Sequence, residues 1–174
     1  MNDYISQRNQ RWKKIFPDIT QQGFWGRINR LATYYQTKCD MLLTQYDIKR
    51  NEYEILCSLL YSGYPYSMTP KEITAHAFKT PGAITNGIDN LEKKDLVKRT
   101  PNSENRRSTI IELTPKGEQL IRTIFPKYTE MENEILSPLQ SEEIQNVKEI
   151  LNKFLTQLEQ TKQISIPGFP VRKI

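Results

Sequence analysis

The sequence predicts a mainly α-helical fold with a small β-hairpin wing (class α+β), in which a winged helix-turn-helix core is flanked by helices on both sides. Apolar residues recur every three or four positions in two long stretches, at about residues 24–46 and 141–158, as they do in amphipathic helices. Between these stretches, two Thr-Pro pairs begin short helical patterns, and two β-branched runs enclose a turn-forming segment at residues 101–107. The chain of 174 residues has the length of one domain, and we expect a single domain over residues 1–174.

Two helices are predicted before the helix-turn-helix. The first spans residues 24–46, and its apolar stripe consists of Phe24, Ile28, Leu31, Tyr35, Cys39, Leu42 and Tyr46. The second spans Glu52–Tyr61, and Gly63 follows it at a position suited to a helix C-cap. Residues 64–67 are predicted to form a loop.

Two capping signals predict the helix-turn-helix itself. Thr69 and Glu72 can form a capping box that starts a short helix ending near Ala77. Thr80 offers the next capping hydroxyl and precedes a second helix over Pro81–Lys94. The residues of this second helix predicted to face inward are Ile84, Ile88 and Leu91, and those predicted to face outward are Thr85, Asn86, Asp89 and Asn90.

A β-hairpin and two further helices complete the predicted fold. The strands lie at residues 96–99 and 108–113, with an exposed, basic-tipped loop between them. Thr114 caps a long helix that ends near Ser137, and Ser141 begins the last helix. The apolar stripe of that last helix consists of Ile144, Val147, Leu151, Phe154 and Leu158. The tail at residues 163–174 contains two prolines and one glycine, so we expect it to be irregular.

The inventory of reactive side chains argues against an enzyme. His76 is the single histidine, and Cys39 and Cys57 are the two cysteines, which are too few for a zinc site of the usual composition. None of the seven glycines falls into GxGxxG or GxxxxGK[ST], the patterns that cradle nucleotide phosphates. We therefore expect neither a metal nor a cofactor. No stretch approaches the roughly 18 apolar residues of a membrane span, and the N-terminus has no apolar core of a signal peptide, so we expect a cytoplasmic protein without a membrane partner.

The central third of the chain carries a specific set of motifs. TPKEITAHAFKTPGAITNGIDNLEKKDLVKR, followed by NSENRRSTIIELTPKG, resembles the MarR family of bacterial transcription regulators. The family pattern is a capped helix, a recognition helix running into [IV]D.LE..[GD]LV.R, a wing that usually ends in DRR, and LT..G. The resemblance implies a homodimeric regulator of double-stranded, palindromic operator DNA, and a repressor, since a dimer on a promoter blocks polymerase. It also implies a DNA-binding lobe at residues 48–114 and dimerisation helices at 1–47 and 115–162.

DNA contacts are expected along the second helix of the helix-turn-helix, since a helix of this size fits the major groove. At its start, the small residues Thr80, Gly82 and Ala83 let the backbone approach DNA closely, and the N–H groups there suit phosphate oxygens. Pro81 belongs to the same predicted contact. Thr85 and Asn86 are the predicted base-reading residues, because an Asn amide can pair with adenine and a Thr methyl can contact thymine. The alternative for Asn86 is a solvated surface position. Asn90 and Lys98 complete the predicted contacts of this region.

The wing is the second predicted DNA contact. Residues 93–107 hold six basic and two acidic side chains, a net charge of +4 in a chain whose net charge is +5. By resemblance, Arg106 and Arg107 form the wing-tip pair, which suits a narrow minor groove. The alternative is that they only make the loop soluble. The resemblance also suggests that Asp89 pairs with Arg107 and orients the wing against the recognition helix.

Three positions depart from the family pattern. Gly87 and Asn90 stand where relatives commonly carry arginine, and Asn105 replaces the usual wing aspartate. Several phosphate contacts of the family are therefore in doubt here. A glycine inside a helix costs about 1 kcal/mol of stability relative to alanine. Three explanations for Gly87 remain: it allows close approach of DNA, it allows close approach of another helix, or it is a neutral substitution that the fold tolerates.

A dimer and an effector pocket are also expected. The terminal helices are predicted to pack against a second copy, and aromatic side chains can form pocket walls, namely those of Trp12, Trp25, Tyr34, Tyr35, Tyr53 and Tyr61. Ordinary helical core is the alternative for each of them. The resemblance implies a small anionic or phenolic effector that releases DNA. The N-terminal tryptophan and the segment IFPKYTEMENEILSPLQSEE are similar to a urate-responsive branch of the family, which makes Trp12 and Glu54 pocket candidates.

Two alternatives remain from the sequence. The two cysteines invite redox sensing, but both lie on or beside apolar helix stripes, which favours buried structural thiols. A winged helix can also serve as a protein-interaction module without operator binding, and the departures at Gly87, Asn90 and Asn105 keep this possibility open.

Overall fold

A computed structural model of the chain describes residues 3–17, 23–77, 79–102 and 108–160. The elements in chain order are α1 (Tyr4–Ile15), α2 (Phe24–Thr44), α3 (Arg50–Tyr61), β1 (Ser67–Met68), α4 (Pro70–Ala77), α5 (Pro81–Lys93), β2 (Val97–Pro101), β3 (Thr109–Leu113), α6 (Pro115–Leu136) and α7 (Ser141–Gln160). The predicted class, mainly helical with a small antiparallel sheet, is confirmed. The backbone divides between residues 41 and 42 into two compact units. In the described part of the chain, no helix is long and apolar enough to cross a membrane.

The first unit contains α1, a helix that the sequence analysis did not predict. Asp3 caps it, because its carboxylate accepts a hydrogen bond from the Ser6 backbone N–H at 2.7 Å. Arg27 of α2 binds both residues, donating to the Asp3 carboxylate at 3.0 Å and to the Ser6 hydroxyl at 2.8 Å. Ile5 is the buried apolar residue of α1. A helix with so few apolar residues has no strong periodic signal, which explains why it escapes sequence analysis.

The second unit is built around α3, whose Ile55, Leu56 and Leu59 are fully buried. Around them lie buried residues of α4, α5, β2, β3 and α6, including Ile73, Ile84, Ile88, Leu91, Val97, Ile111, Ile121 and Ile124. The prediction that Ile84, Ile88 and Leu91 face inward is confirmed. Through this core, both helices of the helix-turn-helix, α4 and α5, pack against α3.

The sheet has three strands in the order β1-β3-β2, all antiparallel. The predicted hairpin is present, with Val97 opposite Leu113 and Pro101 opposite Thr109. The predicted loop at residues 64–67 is wrong at its end, because Ser67 begins β1 and pairs with Glu112. A strand of two residues has no periodicity of its own, and its formation depends on β3, far away in the chain.

The start of α6 joins the hairpin to the last helices through a close backbone contact. The Thr114 hydroxyl accepts a hydrogen bond from the Gly117 N–H at 3.0 Å and donates one to the Asp95 carbonyl at 2.8 Å. A Cβ at Gly117 would lie 2.0 Å from the carbonyl oxygen of Leu96, so only glycine fits there. The predicted helix start at Thr114 is confirmed.

Candidate nucleic-acid interface

The start of α5 is capped and faces solvent. Thr80 is the N-cap, and its hydroxyl accepts a hydrogen bond from the Ala83 N–H at 3.3 Å, while Pro81 occupies the first helical turn. Thr80, Pro81 and Gly82 are exposed, and nothing lies within 4 Å of where a Cβ at Gly82 would be. Pro81 has no N–H and that of Ala83 is bonded to Thr80, so the Gly82 N–H and the positive end of the helix dipole are the groups that suit a phosphate oxygen.

The two predicted base-reading residues, Thr85 and Asn86, lie one turn further along α5, and both are exposed. The Thr85 hydroxyl donates to the Pro81 carbonyl at 3.0 Å. This bond occupies its one donor and leaves the methyl group and an acceptor lone pair for an outside partner. The Thr85 methyl group and the Asn86 side-chain amide therefore lie next to each other on the solvent-exposed side of α5.

Gly87 and Asn90 lie on the other side of α5, against α3. A Cβ at Gly87 would lie 2.5 Å from the Ile55 Cδ1, so this glycine permits close approach of a helix, one of the three explanations left open above. Asn90 donates from its side-chain amide to the Glu52 carboxylate at 3.2 Å. The prediction that Asn90 faces outward is wrong, and a DNA contact by this residue has no geometric support.

Glu52 is a buried carboxylate that the sequence analysis did not single out. It is fully buried within α3 and accepts hydrogen bonds from the Lys49 N–H at 3.2 Å and from the Lys94 ammonium at 3.1 Å, besides the one from Asn90. A signal for it existed in the sequence. Glu52 stands in register with the buried residues Ile55, Leu56 and Leu59, and an acidic residue within an apolar stripe needs partners when it is buried.

An ion-pair cluster joins α5 to the wing strand β2. The Arg99 guanidinium binds the carboxylates of Asp89 and Glu92. The hydrogen bond that Arg99 donates to Asp89 is the main cause that raises the pKa of Arg99. Asp89 therefore does meet an arginine of the wing region, but the one observed is Arg99, which the LV.R motif contained. Arg107 lies outside the described residues, and its pairing with Asp89 stays a prediction.

Most described cations of the basic segment are already paired. Lys94, Lys98 and Arg99 hold the carboxylates of Glu52, Glu112 and Asp89, and the distance from the Lys98 ammonium to Glu112 is 2.8 Å. The wing tip, with Asn105, Arg106 and Arg107, lies outside the described residues. If the wing attracts DNA, that attraction therefore depends mainly on residues beyond the described strands.

The predicted effector residues are distributed over both units. In the first unit, Trp12 stacks on Phe16 with ring centroids 5.9 Å apart, Trp25 is 65% exposed, and Tyr35 is half-buried. In the second unit, Tyr53 is buried and stacks on Tyr128 at 4.3 Å, which agrees with the core alternative, and Glu54 pairs with Lys79 at 3.0 Å. An effector site formed by these residues stays a prediction.

An open cavity of about 520 Å³ lies within the second unit, and none of the predicted effector residues lines it. Its lining residues come from the turn after α2, the end of α5 and the first turns of α6, namely Tyr46, Asp47, Lys94, Leu96, Lys116, Gln119, Leu120 and Thr123. Lys94 and Lys116 are already bound to protein oxygens, the first to Glu52 and the second to the Lys94 carbonyl at 2.7 Å.

The two cysteines fit the structural alternative. Cys39 is fully buried, and burial raises the pKa of Cys57 to about 11. Because the thiolate is the reactive form, a thiol with this pKa is almost entirely protonated at neutral pH. Within the described residues, no group of three or more His, Cys, Asp or Glu side chains is arranged to hold a metal ion.

Comparisons with known proteins agree with this geometry. The model of the MarR family matches residues 48–109. Among curated proteins, the chain is 28% identical over 151 residues to the HTH-type transcriptional regulator PecS of Dickeya dadantii, covering 86% of this chain and 91% of PecS. It is 27% identical over 133 residues to the multiple antibiotic resistance protein MarR of Salmonella typhimurium, covering 74% of this chain and 90% of that protein.

Solved structures show the same fold. A complex of S. aureus MepR with DNA superposes with a TM-score of 0.71 at 26% identity, covering 79% of this chain and 99% of MepR. A mutant of E. coli MarR in complex with operator DNA superposes with a TM-score of 0.69 at 22% identity, covering 83% of this chain and 97% of that chain.

Proposed function

We propose that this chain is a MarR-family winged-helix transcriptional regulator that binds a palindromic operator as a cytoplasmic homodimer and represses transcription there. The observation that carries the proposal is the solvent-facing start of α5, where a capped helix end adjoins the exposed pair Thr85 and Asn86. The Gly82 N–H and the helix dipole at this end bind phosphate and set the register, and Thr85 and Asn86 read bases in the major groove.

The wing supplies the second contact in this proposal. Lys98 and Arg99 of β2 are paired with carboxylates, so in this proposal Arg106 and Arg107 make the contact of the wing with DNA. Guanidinium groups at a hairpin tip enter a narrow minor groove, where the negative potential is enhanced. These two arginines therefore supply affinity, whereas α5 supplies most of the selectivity.

Dimerisation and an effector complete the proposal. Two copies related by a twofold axis place their α5 helices in successive major grooves, about 34 to 36 Å apart. A small anionic or phenolic ligand releases DNA when it binds more tightly to a conformation in which this spacing is wrong.

The test is fluorescence anisotropy on the duplex upstream of the protein's own gene, beside a duplex of scrambled sequence. Between about 50 and about 200 mM salt, a protein making about 6 to 10 phosphate contacts loses roughly 10³- to 10⁵-fold in affinity. We expect this loss for the wild type and a shallower salt dependence with weak binding for Arg106→Ala/Arg107→Ala. The matched control, Lys13→Ala/Lys14→Ala, removes the same charge from α1.

The outcomes separate the proposal from its alternative. Saturable, sequence-selective binding that the wing variant loses supports the regulator. Absence of binding at low salt to any duplex contradicts operator recognition and favours the protein-interaction module. An affinity loss of equal size in the α1 control would mean that total charge, and not the wing, determines binding.

A further inference from the structure

Three groups of the protein converge on the buried carboxylate of Glu52. Its side chain is only 1% exposed. One oxygen accepts the Asn90 amide at 3.2 Å, and the other accepts the Lys49 N–H at 3.2 Å and the Lys94 ammonium at 3.1 Å. Both oxygens are therefore satisfied, and the negative charge is neutralised by a cation at the C-terminal end of α5.

Contacts from α3 hold α5 along its whole length. At the start of α5, the Asn51 amide donates to the Ala83 carbonyl at 3.2 Å. In the middle, Gly87 admits the Ile55 side chain, and beyond it Glu52 receives Asn90. Positions 83, 87, 90 and 94 are spaced by three or four and share one helix face. Thr85 lies on the opposite side of α5, and Asn86 lies at the edge of the α3-facing side and is exposed. One face of α5 therefore packs against α3, while its other face is exposed to solvent.

Lys94 adds a third element to this arrangement. Its ammonium also binds the backbone carbonyl of Asp47, in the turn after α2, and lies 3.4 Å from the Asp47 carboxylate. The cation thus connects the end of α5 with both α3 and the turn before it. If Lys94 is removed, the buried Glu52 carboxylate loses its cation, and a shift of the end of α5 would let water reach it. If Glu52 is removed, Lys94 loses its contact with α3 and keeps only its contacts with Asp47.

We propose that Glu52 and Lys94 form a positioning pair that fixes the rotation and axial setting of α5 and thereby sets operator selectivity without touching DNA. This inference rests on the proposed function, in which α5 reads bases. Base contacts need paired donors and acceptors in a narrow geometry, whereas long cationic side chains tolerate small displacements on phosphate. A displaced α5 therefore loses selective binding before it loses general DNA affinity.

The test uses Glu52→Gln, Lys94→Met and the double variant in the full chain, on a duplex that the wild type selects from a random library and on a scrambled duplex. Glu52→Gln removes a negative charge, so simple electrostatics predicts tighter binding to any DNA. We expect instead about 10-fold weaker binding to the selected duplex, within the range known for coupled residues, and less than about twofold change on the scrambled one. We expect the same pattern for Lys94→Met.

Two further readouts distinguish positioning from other roles. Because neither residue contacts phosphate in this proposal, the slope of log affinity against log salt stays at the wild-type value, whereas loss of a phosphate contact reduces it by about 0.9. The double variant removes both charges together, and we expect it to bind the selected duplex more tightly than either single variant. If Glu52→Gln does not fold, Lys94→Met tests the same loss of selectivity on its own.

Two matched controls make the same charge changes at exposed positions, Glu130→Gln on α6 and Lys93→Met beside Lys94. We expect any effect of these changes to be equal on both duplexes. Unchanged selectivity in folded Glu52→Gln and Lys94→Met, with a selective wild type, overturns this inference alone. A reduced salt slope for Lys94→Met also overturns it. A wild type that selects no sequence overturns the proposed function, and this inference with it.

Discussion

At the scale of single residues, the distance between α3 and α5 is set by a missing side chain. Gly87 is buried, and a Cβ there would lie 2.5 Å from the Ile55 Cδ1 and 3.0 Å from the Asn51 amide nitrogen. Ile55 is fully buried and has little room to move. The glycine therefore lowers helix propensity in exchange for a closer packing of the two helices.

Gly87→Ala tests this reading of the contact. Alanine gains about 1 kcal/mol in helix propensity, but overpacking in a core costs about 1 to 3 kcal/mol, so we expect a net loss in the free energy of unfolding of up to about 2 kcal/mol. The measurement is urea unfolding followed by circular dichroism. The double variant Gly87→Ala/Ile55→Val removes the overlapping methyl and should recover part of the loss.

Gly82→Ala is the control on the same helix, because nothing lies within 4 Å of the new methyl group. Equal or higher stability is expected there. If Gly87→Ala were as stable as Gly82→Ala, the close approach of α3 would not be what requires a glycine.

At the scale of elements, local chemistry was readable from the sequence and non-local chemistry was not. The helix starts at Thr69, Thr80 and Thr114 were predicted because a capping side chain acts within three residues, and the Thr69–Glu72 capping box is present at 2.7 Å. β1 was missed because it exists only through β3. Asn90 was assigned to the wrong face because its orientation depends on Glu52, 38 positions earlier in the sequence.

The sheet carries an ion pair whose effect depends on pH. Glu112 of β3 accepts hydrogen bonds from Lys98 and from Thr100 of β2, and these bonds, that from Lys98 first, lower its pKa below the usual value of 4.5. A carboxyl whose pKa is lower in the folded state stabilises the fold above its unfolded pKa. That contribution is lost as the pH falls through the folded pKa.

Glu112→Gln tests this pH dependence. We expect the variant to be less stable than the wild type at pH 7 by about 0.2 to 1 kcal/mol, because the pair is partly exposed to solvent. The difference should shrink as the pH falls below about 4.5 and vanish once the wild-type carboxyl is protonated. The measurement is the urea midpoint from pH 7 down to acidic pH. A difference that stays constant with pH would show that volume or packing, and not charge, is responsible.

At the scale of the whole molecule, α7 has an apolar stripe that a single chain leaves open. Its exposed apolar residues are Val147, Ile150, Leu151, Leu155 and Leu158, with exposed fractions between 39% and 66%. Soluble monomers rarely expose contiguous apolar patches of more than a few hundred Å². A stripe of this kind agrees with the proposed dimer, in which a second copy covers it.

Ile150→Glu/Leu155→Glu places two carboxylates in this stripe. We expect a monomer at micromolar concentration in light scattering, because burying unpaired carboxylates in an interface costs several kcal/mol. Operator affinity should fall with the loss of the second half-site. Asn152→Glu/Gln157→Glu, which adds the same charge to exposed polar positions of α7, should remain dimeric. A dimer that survives the first double variant would exclude this stripe as the interface.

Both tryptophans of the chain, Trp12 and Trp25, belong to the amino-terminal unit, and the lobe that contains α5 has none. Tryptophan emission, excited at the red edge of protein absorption, therefore reports on the amino-terminal unit alone. Any change in that emission on adding a duplex must arise from an altered environment around the amino-terminal helices. The molecule thus carries its own optical reporter of the amino-terminal unit.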